Sequence, residues 1–224
     1  MGMIPDQDKE FLRGKFSEEL ESPVTVVAFT EKTEGLAEPG LECKFCSETE
    51  QLVSEVTELS DKLRLDVRKF SADDQTAKDM GIDKLPALVL TSDESSNVRY
   101  FGVPGGFEFN SFVEDIVDVS RNATSLSQAV KDKIRRINRD VHIQVFVTPT
   151  CPYCSSAVRI AHQMAIENPT HIKADAIEVA EFPHLVERYD ISAVPTVVIN
   201  DKVQFEGALS SEDFAERVAK TLAT

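Results

Sequence analysis

All four cysteines of this chain fall in two Cys-x-x-Cys pairs, Cys43-Lys44-Phe45-Cys46 and Cys151-Pro152-Tyr153-Cys154, offset by 108 residues. Both pairs taking that spacing by chance is roughly a one-in-several-thousand event. The pairs also mark a repeat. β-Branched runs at 23–30 and 141–148 lie upstream of each pair, and an apolar helical periodicity follows each one. Second strands are expected at 65–70 and 172–179, then short helices at 74–80 and 182–189. The next matched segment reads Ile82-Asp83-Lys84-Leu85-Pro86 in one half and Ile191-Ser192-Ala193-Val194-Pro195 in the other, each followed by an apolar run. Edge strands at 98–102 and 203–207 and closing helices at 108–120 and 210–222 complete each copy. Leading helices at 6–20 and 126–138 open them.

The expected fold class is therefore α/β: two tandem units, 1–121 and 122–224, each a mixed four-stranded sheet flanked by helices. The main departure from the repeat is a first-half insertion at 31–42, marked as a loop by Gly35, Pro39 and Gly40. At about 110 residues each, the units are small enough that packing between them should matter.

Charge narrows the function. The net charge is −15, which disfavours nucleic acid and anionic membrane surfaces as partners. It is lopsided: residues 1–120 hold 12 basic and 26 acidic side chains, residues 121–224 hold 12 and 13. No apolar run approaches a membrane span or a secretory signal, so a cytoplasmic location is expected. In that setting paired cysteines indicate redox chemistry or a metal. A four-Cys zinc site is disfavoured, since 104 residues separate pairs that belong to different repeats. The four histidines lie outside both pairs, which leaves a Cys–His hydrolase unsupported, and no glycine motif suits a nucleotide cofactor. No cofactor and no metal are expected.

The spacing has its own chemistry. A cysteine at a helix start gains thiolate character from the free N–H groups and the helix dipole. Its neighbour three residues on can close a disulfide and resolve a mixed disulfide formed with a target. Pro86 and Pro195, about forty residues beyond the pairs, are candidate cis prolines. Turns there would present backbone groups of Leu85 and Val194 to an extended substrate.

Strand, Cys-x-x-Cys, helix and a proline loop forty residues on resemble the thioredoxin and glutaredoxin superfamily. Cys151-Pro152-Tyr153-Cys154 is similar to the glutaredoxin tetrapeptide. The duplication, with stretches such as 99–109, 113–121 and 145–154, resembles the two-unit protein disulfide oxidoreductases of archaea and thermophilic bacteria. That resemblance implies reduction, formation or isomerisation of protein disulfides, with electrons from a thioredoxin-reductase-like flavoprotein. It implies Cys43 and Cys151 as nucleophiles, Cys46 and Cys154 as resolving thiols, and Pro86 and Pro195 as cis prolines. Alternatives of another class are a non-catalytic acidic scaffold or chaperone, or a dedicated electron relay for a flavoprotein or peroxidase.

Two departures stand out. Thioredoxins place a buried Asp six residues before the first Cys, where this chain has Ala37 and Val145. Glu178, near the end of a predicted strand, is the candidate for assisting proton transfer instead. The chain also has no Trp. Glu31, Glu34, Glu38, Glu42, Glu48 and Glu50 crowd the first pair, while the second has no sequence-adjacent carboxylate. Cys151 is therefore expected to have the lower thiol pKa and to react first. Phe107 and Phe109 read as core, and Tyr153 either as packing that also tunes the site, the favoured reading, or as a hydroxyl contact with substrate.

Overall fold

The computed structural model describes residues 2–31, 43–71, 74–92 and 97–223. The helices are α1 (Asp6–Glu19), α2 (Cys46–Thr57), α3 (Gln75–Asp79), α4 (Phe107–Arg121), α5 (Gln128–Arg135), α6 (Cys154–Glu167), α7 (Pro183–Arg188) and α8 (Ser211–Ala223). The strands are β1 (Val24–Thr30), β2 (Leu63–Lys69), β3 (Ala87–Thr91), β4 (Val98–Phe101), β5 (Val141–Val147), β6 (Ile172–Glu178), β7 (Thr196–Ile199) and β8 (Lys202–Glu206). Most of the 31–42 insertion lies outside the described residues.

Each half repeats one pattern. β1 runs parallel to β2 and antiparallel to β3, which pairs antiparallel with β4; β5, β6, β7 and β8 do the same. The two four-stranded sheets are not separate. They join edge to edge through a parallel β4–β6 ladder into one eight-stranded sheet, ordered β2-β1-β3-β4-β6-β5-β7-β8. Joining removes one exposed edge from each half. The central strands β1, β3, β4 and β5 are buried on both faces, which explains their nearly continuous apolar sequences. The outer strands β2 and β8 keep charged, exposed positions.

Side chains alternate across the sheet. One face, with Leu88, Tyr100, Ala176 and Val145, packs beneath α1, α2, α4, α5, α6 and α8. The other, with Phe29, Phe101, Ile177 and Phe146, is covered by the short helices α3 and α7 through Ala77, Phe182 and Leu185. Period-2 alternation thus yields two core layers from one set of strands.

Two buried polar clusters hold the halves in register. Arg99 and Asp175 sit opposite each other on the joined strands with an ion pair of 2.6 Å. Arg99 also donates to the carbonyls of Met80 and Gly81, at 2.8 and 2.9 Å. Burial pushes the Asp175 carboxyl up, but the Arg99 charge and a 2.6 Å contact with His142 outweigh it and hold the group below its usual range. Between α4 and α6, Asp115 accepts from Tyr100 and Arg159 and faces His162 Nδ1 at 2.5 Å, while Asp118 accepts from Arg159 at 2.6 Å and Gln163 at 2.9 Å. These charges are tolerated in the interior because each has a partner across the seam.

Candidate active site

Both Cys pairs stand at the same place in their repeats, between the end of a central strand and the start of a helix. Each pair is disulfide-bonded, with Cα atoms 5.5 Å apart. The second cysteine is in both cases the first helical residue, Cys46 of α2 and Cys154 of α6. The first therefore lies where the unpaired N–H groups of the helix start favour negative charge. The Leu85–Pro86 and Val194–Pro195 peptide bonds are both cis. Among the described residues no cluster of three His, Cys, Asp or Glu could hold a metal ion.

The two sites differ in detail. At the second, Cys154 is fully buried, Cys151 is half-buried, and Cys151 Sγ lies 3.7 Å from the carbonyl oxygen of Val194. The Cys151 N–H donates to the Thr148 carbonyl at 3.1 Å, closing the turn with backbone alone. At the first, Cys46 is half-buried and Glu31 engages both cysteines. Glu31 Oε2 accepts from the Cys43 N–H at 3.3 Å, and the Glu31 N–H donates to Cys46 Sγ at 3.2 Å. A cleft of about 650 Å³ opens beside this pair, lined by Glu31, Glu50, Glu55 and Lys69 among others. Lys69 pairs there with Glu50 at 3.2 Å and Thr30 at 3.0 Å. Of the acidic residues read around Cys43, Glu34, Glu38 and Glu42 lie outside the described residues.

Leu85 and Pro86 are buried, and Val194 is half-buried and closer to the surface. Glu178 is buried at the end of β6, where its Oε2 accepts the Glu181 N–H at 2.8 Å and so braces the following turn. Glu181 reaches across to the first unit and accepts from the Val103 N–H at 2.8 Å. Burial, opposed by that hydrogen bond and reinforced by Glu178 and Glu48, pushes the Glu181 carboxyl up to about 7.

Sequence reasoning overlooked Glu108. It is buried in the first turn of α4, and neither carboxyl oxygen finds a hydrogen-bond partner among the described residues. Burial and the nearby Asp115 charge outweigh the opposing pull of the Ser111 hydroxyl and push it up to about 8. Helices α4 and α6 run alongside in the same direction, with Ser111 bonded to the Ser155 carbonyl (3.3 Å), Asp115 to Arg159 and His162, and Asp118 to Gln163. One turn before Ser111, Glu108 is level with the Cys151–Cys154 turn, and the Phe107 N–H beside it donates to the Pro149 carbonyl at 3.0 Å. Glu108 belongs to the first half of the chain and lies at the end of α4 that abuts the turn before Cys151. Its sequence signal was faint: a Glu one turn before Ser111 and two turns before Asp115 on a helix face that proves buried.

Two aromatic expectations are corrected. Phe107 is 49% exposed, because residues two apart cannot both face the core and Phe109 takes the inward side. Tyr153 is 69% exposed, so it does not supply the packing expected of it.

Comparison with known proteins agrees with this geometry. Residues 141–220 match the thioredoxin domain family. A protein disulfide oxidoreductase from Aeropyrum pernix K1 is 28% identical, with a TM-score of 0.86 over 97% of this chain and 93% of that one. A structure of the F component of alkylhydroperoxide reductase from Enterococcus faecalis shares the fold at 24% identity, TM-score 0.84, covering 96% of this chain and 99% of that one. The F component of alkyl hydroperoxide reductase from Staphylococcus aureus is 28% identical over 177 residues, 78% of this chain, and the matched region is 32% of that protein. The chain thus spans about a third of the length of the curated relatives it matches. Duplicated α/β halves, a dithiol at each helix start and this likeness give the chain a thioredoxin-like fold in two units, equipped as a thiol–disulfide oxidoreductase.

Proposed function

We propose that the Cys151–Cys154 pair meets external protein disulfides and that Cys43–Cys46 passes electrons to it or acts on a narrower set of partners. In the reduced protein, the Cys151 thiolate attacks a target disulfide, one sulfur of the target leaves as a thiol, and a mixed disulfide forms. Cys154 then attacks Cys151 Sγ, expels the second target sulfur and closes the protein disulfide. The observation that carries this reading is the graded burial of the second pair: a half-buried first sulfur against Val194 and a fully buried second one. Attack by Cys154 needs its proton removed in a dry site, and Glu108 is the carboxyl best placed to accept it. A carboxyl titrating near 8 exchanges a proton with a thiol at small driving force. Glu178 is the weaker candidate, since its oxygen is committed to the turn at Glu181. Leu85 with Pro86 and Val194 with Pro195 are proposed to line the substrate strand at the two sites, and the units to divide as 1–121 and 122–224.

Electrons are proposed to come from a thioredoxin-reductase-like flavoprotein. Relatives named as the F component of alkyl hydroperoxide reductase and as NADH dehydrogenase support a reductase as partner, and with it the relay reading. Among the described residues no helix is long and apolar enough to cross a membrane; a cytoplasmic location is part of the proposal. The test is mixed-disulfide trapping with insulin. Cys154→Ser should accumulate a covalent adduct at Cys151, and Cys46→Ser should give little at Cys43. Equal trapping at both cysteines would contradict the division of labour.

A further inference from the structure

We propose that Phe107, from the first unit, forms with Tyr153 an apolar wall of the second unit's site and selects partner segments carrying a large apolar side chain beside the reacting cysteine. The inference rests on the reading above, in which Cys151 meets external disulfides. Among the described residues five large apolar side chains are exposed: Met3, Phe11, Phe107, Tyr153 and Val203. Met3 and Phe11 lie at the leading helix and Val203 on the outermost strand. The remaining two flank a redox disulfide. Tyr153 sits inside the motif, and Phe107 is held to it by the 3.0 Å hydrogen bond from its N–H to the Pro149 carbonyl.

The chain makes this approach possible at one residue. Gly106 adopts φ +58°, and a Cβ there would collide with the Pro149 carbonyl, so only glycine lets the start of α4 abut the turn before Cys151. The matching surface at the first site is different. Phe45, the counterpart of Tyr153, is half-buried with the charged Lys44 5.2 Å from its ring centre, and Glu31, Glu50 and Glu55 line the cleft beside that pair. An uncharged aromatic rim is therefore particular to the second site, where exchange must seat a polypeptide within bonding distance of Cys151 Sγ. An exposed aromatic pair contributes most by covering an apolar side chain of the partner, about 1 kcal/mol or fivefold in rate for partial burial.

The test uses the full chain with Cys43→Ser and Cys46→Ser, so that only the second pair reports. Two synthetic peptides of equal length and charge carry one cysteine as a mixed disulfide with 5-thio-2-nitrobenzoate, flanked by Leu in one and Ser in the other. Attack of Cys151 on the peptide sulfur expels the coloured thiolate; Cys154 then releases the peptide as a thiol and the protein is left oxidised. The rate ratio, Leu over Ser, is expected to be about fivefold, to fall toward one in Phe107→Ser, to recover in Phe107→Leu, and to stay at the parent value in Phe11→Ser. A ratio unchanged in Phe107→Ser, or one that falls equally in Phe11→Ser, would overturn the proposal. Failure of the parent to release colour from either peptide would overturn the assignment of Cys151 itself, a result separable from loss of the ratio.

Discussion

The two dithiols stand at equivalent places in a duplicated fold, yet their surroundings are chemically opposite. The first is ringed by carboxylates, and one of them, Glu31, accepts from the N–H of Cys43 itself. The second has backbone alone at that position, a fully buried second cysteine, the exposed aromatic side chains of Tyr153 and Phe107 nearby, and at the adjoining start of α4 a buried carboxyl pushed up to about 8. The difference teaches that the duplicated backbone sets where the sulfurs go, while side chains that the two repeats do not share set the surroundings of each. Phe107 and Glu108 lie in the first half at the start of α4, which the Phe107 N–H ties to the Pro149 carbonyl before the second pair, so the asymmetry depends on how the halves are joined.

The largest effect should come from parting that joint. Asp175→Asn leaves Arg99 buried without its ion partner and is expected to cost about 3–5 kcal/mol of stability, read by urea unfolding. A change below 1 kcal/mol would mean that the seam does not hold the sites in place. Next, Cys151→Ser should slow insulin reduction by about a hundredfold or more, and Cys43→Ser by only a few fold when dithiothreitol supplies electrons. Comparable losses would erase the distinction between the sites.

Glu108→Gln sharpens it further. Turnover through the second pair should drop about tenfold to a hundredfold, with no change at the first pair assayed alone. The same variant carries a stability signature. A carboxyl raised in the fold to about 8 favours the protonated native state, so its contribution falls as pH rises from the ordinary carboxyl value toward 8 and is level beyond. Removing it should take about 1 kcal/mol per pH unit out of the stability slope between pH 5 and 7. An unchanged slope would show that Glu108 is not held protonated by the fold. The smallest effect is at Glu31: Glu31→Gln removes a negative charge beside the Cys43 N–H and should lower that thiol's pKa by about half a unit, measured by iodoacetamide rates.

Much of this architecture was legible in the chain. The β-branched runs, the two prolines and the helix periodicities are local signals, and each half assembled as they indicate. The joined sheet was not legible, because its seam is β4 against β6, and nothing local to Arg99 or Asp175 names the other as its partner. Glu108 was hidden for a related reason. Its environment is set by the register of α4 against α6, a contact between segments some forty residues apart. Phe107 could have been foreseen, since Phe109, Phe112, Val113 and Ile116 already fill the inward stripe of that helix and leave position 107 facing outward.

The most direct test of the asymmetry is the thiol pKa of Cys151 against that of Cys43, from the pH dependence of alkylation in variants retaining only one pair. Cys151 is expected to titrate lower by more than about half a unit. Equal values, or a lower value for Cys43, would contradict the division between the two sites.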